Sequence, residues 1–208
     1  MKILVKICGI TTRRDAEQAV AAGADLIGLN FWGGSKRFVT DDRAREIVAG
    51  IPTAVRKVGV FVNAHPLVVT ETVDELQLDF VQLHGDEVAA NWTWLPSDQV
   101  IRAIRVRDDA SLKESLDWQA SLYLYDAFAE GYGGSGKRAP WEVVAAGARR
   151  PFLIAGGLDP TNVADAIGAT RPDGVDVSSG VELSPGIKDM RKMRAFIRNA
   201  RAAAAKLK

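Results

Sequence analysis

Short apolar runs rich in β-branched residues and leucine alternate along the chain with longer stretches in which apolar positions recur every three or four residues. The runs are ILVKI (3–7), DLIGLNF (25–31), RKVGVFV (56–62), DFVQLH (79–84), VIRAIRV (100–106), LYLYD (122–126), PFLIAG (151–156) and GVDVSS (174–179). Runs this short and this continuous fit strands buried on both faces. Amphipathic stretches lie between them at 13–23, 41–50, 66–77, 110–120 and 159–170, and a basic, Ala-rich helix from about Asp189 closes the sequence. Residues 86–95 fit neither pattern. Eight strand-helix units in 208 residues predict an α/β protein, a (β/α)8 TIM barrel at the compact end of its size range. A doubly wound open sheet is the alternative. No composition shift or linker interrupts the pattern, so 1–208 reads as a single domain.

Composition leaves this picture intact and narrows the function. The chain is 47% hydrophobic and 25% charged with a net charge of +1, and its basic residues are scattered, which gives no electrostatic footprint for nucleic acid. No apolar run has transmembrane length and no secretory signal precedes the first strand. One cysteine, Cys8, cannot form an internal disulfide, and a reducing cytoplasm is the expected compartment.

In a barrel, chemistry gathers where strands end, in the loops at the C-terminal face. Strand ends here present Cys8-Gly9, Phe31-Trp32 with Arg37 just beyond, Asn63, His84-Gly85, Arg105–Arg107, Asp126, Gly156-Gly157 and Ser178-Ser179-Gly180. A lone cysteine is ordinarily a small buried hydrophobe, but Cys8 sits at the mouth. Asp126, at the end of the sixth run, can cap a loop or face Cys8 across the mouth as the second half of an acid/base pair. The loops after strands seven and eight, with a short extra helix, are where barrels of this kind bind phosphate on backbone N–H groups. Gly156, Gly157, Ser178, Ser179 and Gly180 occupy those positions. A Gly-Gly pair alone is more often a turn.

The chain resembles the phosphoribosylanthranilate isomerase family of tryptophan biosynthesis along essentially its whole length. The resemblance rests on KICGI (6–10), AGAD (22–25), GVFVN (59–63), QLHG (82–85), GGSGK (133–137), AGGLDPTNV (155–163) and VDVSSGVE (175–182), followed by SPGIKD. It implies a (β/α)8 barrel, an Amadori rearrangement of N-(5-phosphoribosyl)anthranilate, Cys8 as general base, Asp126 as general acid, and Arg37 on the anthranilate carboxylate. It further implies Gly156, Gly157, Asp176, Ser178, Ser179 and Gly180 around the substrate. Such proton shuttling needs no cofactor and no metal, and the implied partner is a small phosphorylated substrate acting on a monomer or homodimer.

One stretch departs from the family. Members of the family it resembles commonly read aromatic-aromatic-Pro-x-Ser-Pro-Arg where this chain reads FWGGSKR (31–37). Gly33 and Lys36 replace the prolines, which predicts a looser loop and lets Lys36 share the role of Arg37. The segment after strand six, DAFAEGYGG, is longer than the family's and predicts a different lid. Lys6, two residues before Cys8 and on the same strand face, is either a partner for the thiolate or half of a structural ion pair. His84 reads as a residue supporting the site, His65 as solvent-facing, and Trp92, Trp94, Trp118 and Trp141 as packing residues. Another sugar-phosphate isomerase or epimerase, or a non-catalytic phosphate-binding barrel, are the competing functions.

Overall fold

Period-two alternation decides how the first strand, β1 (Leu4–Cys8), is used: Leu4, Lys6 and Cys8 share one face, and Val5 and Ile7 the other. The same alternation runs through β2 (Leu26–Asn30), β3 (Arg56–Phe61), β4 (Phe80–Leu83), β5 (Val100–Val106), β6 (Leu122–Ala127), β7 (Phe152–Ile154) and β8 (Gly174–Val177). In this computed structural model, which describes residues 3–127 and 140–207, the eight strands pair in sequence order and β1 closes on β8 as an all-parallel barrel. The predicted TIM barrel is the observed fold; the open sheet is not.

Two apolar layers follow from the alternation. Leu26, Val58, Ile101, Ala103, Leu122, Leu124, Leu153 and Ala155 fill the barrel's interior, with Leu4 and Phe80 against them. A larger layer, including Ile7, Ile27, Leu83, Ile104 and Ile154, packs beneath the helices. These are α1 (Arg13–Ala22), α2 (Asp41–Val48), α3 (Pro66–Leu76), α4 (Asp109–Leu112), α5 (Trp141–Gly147), α6 (Val163–Thr170) and α7 (Met190–Ala205). Thr12 and Thr40 cap α1 and α2 by accepting from Asp15 N and Arg43 N. Exposed His65 does the same for α3, its Nδ1 accepting from Leu67 N. Among the described residues no helix is long and apolar enough to cross a membrane.

Three expectations need correction. The stretch 110–120 is not one helix: α4 gives way to a 3-10 helix at Lys113–Asp117. Its buried positions, Leu112, Ser115 and Trp118, are spaced by three, the period of a 3-10 helix rather than an α-helix. The stretch 159–170 is helical only from Val163, because Asp159 Oδ1 takes the amides of Thr161 and Asn162 in a turn of its own. Trp94 is 43% exposed, so it is not a core residue, although its ring lies 5.8 Å from buried Trp92. The fourth unit carries only a 3-10 turn, Ala89–Trp92, in place of a helix. GGSGK and most of the segment after β6 lie outside the described residues.

The last addition is a hairpin that the apolar pattern does not announce. After β8 come a 3-10 turn, Ser179–Val181, then β9 (Glu182–Ser184) and β10 (Ile187–Lys188), paired antiparallel. Gly186, at φ 85°, makes their turn.

Candidate active site

Reading inward-facing positions from the bottom of each strand to the top, apolar residues give way to polar ones. Leu4 leads to Lys6 and Cys8, Phe80 to Gln82 and His84, Leu124 to Asp126, and Gly174 to Asp176 and Ser178. The upper residues meet in a cavity of about 600 Å³ at the C-terminal mouth, lined by Cys8, Asn30, Trp32, Arg37, Gln82, His84, Asp126, Asp176, Ser178 and Ser179 among others. Cys8 and Asp126, from strands far apart around the ring, thus face one space.

Cys8 keeps part of its surface open to this cavity. Desolvation by the surrounding protein pushes its thiol pKa up; the Lys6 ammonium pulls it down, and the Asp176 carboxylate pushes it up again. Lys6 lies fully buried with Nζ 3.0 Å from Asp176 Oδ1, its register partner across the β1–β8 seam. Lys6 is therefore half of a buried ion pair on the same strand face as the thiol. Opposite Cys8 on β2 is Gly28, where a Cβ would lie 2.9 Å from Cys8 Sγ and 3.1 Å from Lys6 Nζ. The absent side chain leaves the thiol and the ammonium room to coexist.

Asp126 accepts from the Ala127 amide through Oδ1 at 2.8 Å, and its Oδ2 is 3.4 Å from His84 Nε2. Gln82 Nε2 lies 2.7 Å from His84 Nδ1; with the amide donating there, the ring proton sits on Nε2, toward the carboxylate. His84 thus stands between Gln82 and Asp126 at the end of β4. Gly156 (φ 82°) completes this side, since a Cβ there would be 2.8 Å from Asp126 Oδ1 and 2.5 Å from Ala127 N.

Arg37 crosses the mouth over Gly9, whose Cβ would meet the Arg37 Cδ at 2.4 Å. Its Nε and Nη2 donate to the two oxygens of Glu182. Glu182 Oε1 also accepts from Lys188 Nζ at 2.8 Å, and that ammonium, with no exposed side-chain surface, lies 3.1 Å from Ser178 O. Burial alone would raise the Glu182 pKa, but Arg37 and Lys188 hold it below the ordinary carboxylate value. Sequence reasoning missed this pair, because Glu182 and Lys188 sit on a hairpin of three and two residues, too short to show a pattern. The Pro185-Gly186 turn between them was the available signal.

The loop of residues 31–38 is firmer than its glycines suggest. Ser35 N donates to Trp32 O, Phe38 N to Ser35 O, and Arg37 N to Ser35 Oγ, at 2.9, 3.1 and 3.1 Å. Lys36 is exposed beside it. In the loops after β7 and β8, Gly180 is fixed by packing: a Cβ would lie 1.9 Å from the Leu158 carbonyl oxygen. Gly157 (φ 61°) has its carbonyl bonded by Asn162 Nδ2 at 2.9 Å. The two loops interlock, with Ser178 and Ser179 turned to the cavity.

A parallel (β/α)8 barrel that gathers polar and charged side chains in a cavity at the C-terminal mouth has the architecture of a barrel enzyme. Comparison with known proteins is more specific. The family described as N-(5'phosphoribosyl)anthranilate (PRA) isomerase matches residues 5–199, and the chain belongs to it. The N-(5'-phosphoribosyl)anthranilate isomerase of Geotalea uraniireducens is 45% identical over 199 residues, covering 95% of this chain and 98% of that one. The phosphoribosyl anthranilate isomerase of Thermotoga maritima superposes with a TM-score of 0.89 at 39% identity, covering 96% and 99% of the two chains. A further crystal structure of such an isomerase, in complex with reduced 1-(o-carboxyphenylamino)-1-deoxyribulose 5-phosphate, superposes at 0.83 with 36% identity over 96% and 99%.

Proposed function

We propose that the chain converts N-(5-phosphoribosyl)anthranilate to 1-(2-carboxyphenylamino)-1-deoxyribulose 5-phosphate, the isomerisation of tryptophan biosynthesis, with Asp126 as general acid and Cys8 as general base. The observation that carries this reading is that Cys8 at the end of β1 and Asp126 on β6 line one cavity. Asp126, as the acid, gives a proton to the furanose ring oxygen as the bond from that oxygen to C1 breaks and the amine lone pair forms a Schiff base. The Cys8 thiolate then takes the C2 proton, and the electron pair left behind makes the enolamine while neutralising the nitrogen. Protonation at C1 and loss of the C2 hydroxyl proton yield the ketose. No electrons enter or leave, so the step needs no cofactor.

Remaining residues hold the substrate. Arg37 offers a planar donor fork to the anthranilate carboxylate, already oriented by Glu182. The loops carrying Gly156, Gly157, Ser178, Ser179 and Gly180 take the phosphate, and Asp176 acts by fixing Lys6 beside the thiol. Incubating the purified protein with chemically generated phosphoribosylanthranilate and following the ketose chromatographically tests the reading. Absence of product above the uncatalysed background overturns it.

A further inference from the structure

The glycines of the 31–38 loop differ in what they answer to. Gly33 has open space where a side chain would project, and neither Gly33 nor Gly34 has the left-handed φ that favours glycine. Gly34 is constrained by a neighbour. A Cβ there would lie 2.4 Å from Cζ2, 2.7 Å from Cε2 and 2.8 Å from Cη2 of Trp32. The six-membered ring of the indole is folded back against the Gly34 backbone, and any side chain at 34 displaces it.

The fold-back is tied to the same frame that holds Arg37. Trp32 N donates to Asn30 Oδ1 at 2.9 Å, and Ser35 joins both ends by donating to the Trp32 carbonyl and accepting from the Arg37 amide. Half-buried Trp32 lines the cavity shared by Cys8, Arg37 and Asp126. Among the described residues lining it, the aromatic side chains are Trp32 and His84; His84 is the smaller and polar ring, bonded to Gln82, and Trp32 is the larger apolar one, in the same loop as Arg37. A substrate ring needs a flat apolar face to pack on. Resting on the function proposed above, in which the substrate carries a benzene ring with an adjacent carboxylate, we infer that Trp32 is the wall that receives this ring, seated by Gly34. One loop then reads both ring and carboxylate, through Trp32 and Arg37, which makes Trp32 a specificity-determining residue.

Calorimetric binding of the reduced product analogue and of inorganic phosphate to the wild type, Trp32→Phe, Trp32→Leu, Gly34→Ala and the Gly34→Ala/Trp32→Leu double variant tests this. Trp32→Leu weakens analogue binding roughly three- to tenfold, Trp32→Phe retains most of it, and phosphate affinity stays constant throughout. Gly34→Ala weakens the analogue as well, and the double variant is no weaker than Trp32→Leu alone, because Gly34 acts through the indole. Unchanged analogue affinity in Trp32→Leu, an equal loss for phosphate, or additive losses in the double variant would overturn the inference. Failure of the functional reading shows separately, as a wild type that binds the analogue but does not turn over phosphoribosylanthranilate.

Discussion

Arg37 reaches the mouth of the barrel already clasped by Glu182: its Nε and Nη2 each lie 2.7 Å from a different carboxylate oxygen. A guanidinium pinned on two donors presents its remaining N–H groups in a fixed direction, whereas neighbouring Lys36 is an exposed point charge on a flexible stem. Arg37→Ala is expected to raise KM roughly tenfold or more, from loss of about 1.5 to 3 kcal/mol of charge-assisted hydrogen bonding. Lys36→Ala should change it little, and Lys36→Pro should be tolerated. Steady-state kinetics decides; a dominant effect at Lys36 with Arg37 silent would reassign the carboxylate.

Removing the clasp has a different signature. Glu182→Gln leaves Lys188 and Arg37 without their counter-charge, and breaking a buried pair in this way costs about 3 kcal/mol or more. Because the folded-state pKa of Glu182 is depressed, its contribution is present above the ordinary carboxylate value and is lost as pH falls through the lower folded one. Urea midpoints measured from about pH 7 to about pH 3 should therefore be lower for Glu182→Gln at neutrality and should converge with wild type in acid.

Cys8→Ala should lower kcat by about 10² to 10⁴-fold with little change in substrate binding, since a proton acceptor is lost while the anion contacts remain. Cys8→Ser should be nearly as poor. Near wild-type turnover in Cys8→Ala would leave Cys8 a packing residue.

The charges around Cys8 predict opposed pH shifts. Its thiol pKa is raised by burial, with Lys6 and Lys188 pulling down and Asp176 pushing up, while Arg37 is the further cation facing it. Only the thiolate reacts with iodoacetamide. The alkylation profile should move to lower pH in Asp176→Asn and to higher pH in Lys6→Met. Shifts in the same direction would mean that packing, not charge, sets the thiol.

Asp126→Asn preserves shape but cannot deliver a proton to the ring oxygen, so ring opening should limit turnover, with a loss of about 10² or more. Unchanged turnover in Asp126→Asn together with lost turnover in Asp176→Asn would move the acid to β8.

How much of this was legible depended on periodicity. The eight strands are readable because burial on both faces forces continuous apolar runs, and Cys8 and Asp126 stand out because those runs stop at them. The same alternation placed Lys6 on the thiol's face, but its ion pair spans 170 positions and no local pattern encodes a partner that distant. Gly34 and Trp32 show the limit differently. Two glycines in a loop read as slack, whereas one of them is a seat for an aromatic ring, and the distinction lies in side-chain direction rather than in order along the chain. Trp94 is uncovered because it lies in the turn that follows the 3-10 helix, whereas Trp92, inside that helix, is buried.

The Lys6–Asp176 pair also bears on how the protein is made. A chain emerging from the ribosome carries Lys6 through 170 further positions before its counter-charge exists. Closing the first strand into an apolar interior before then would strand a naked ammonium, at a cost of several kcal/mol. A barrel that lacks β8 therefore lacks the carboxylate that neutralises Lys6, so the last strand supplies the charge that lets the first be buried.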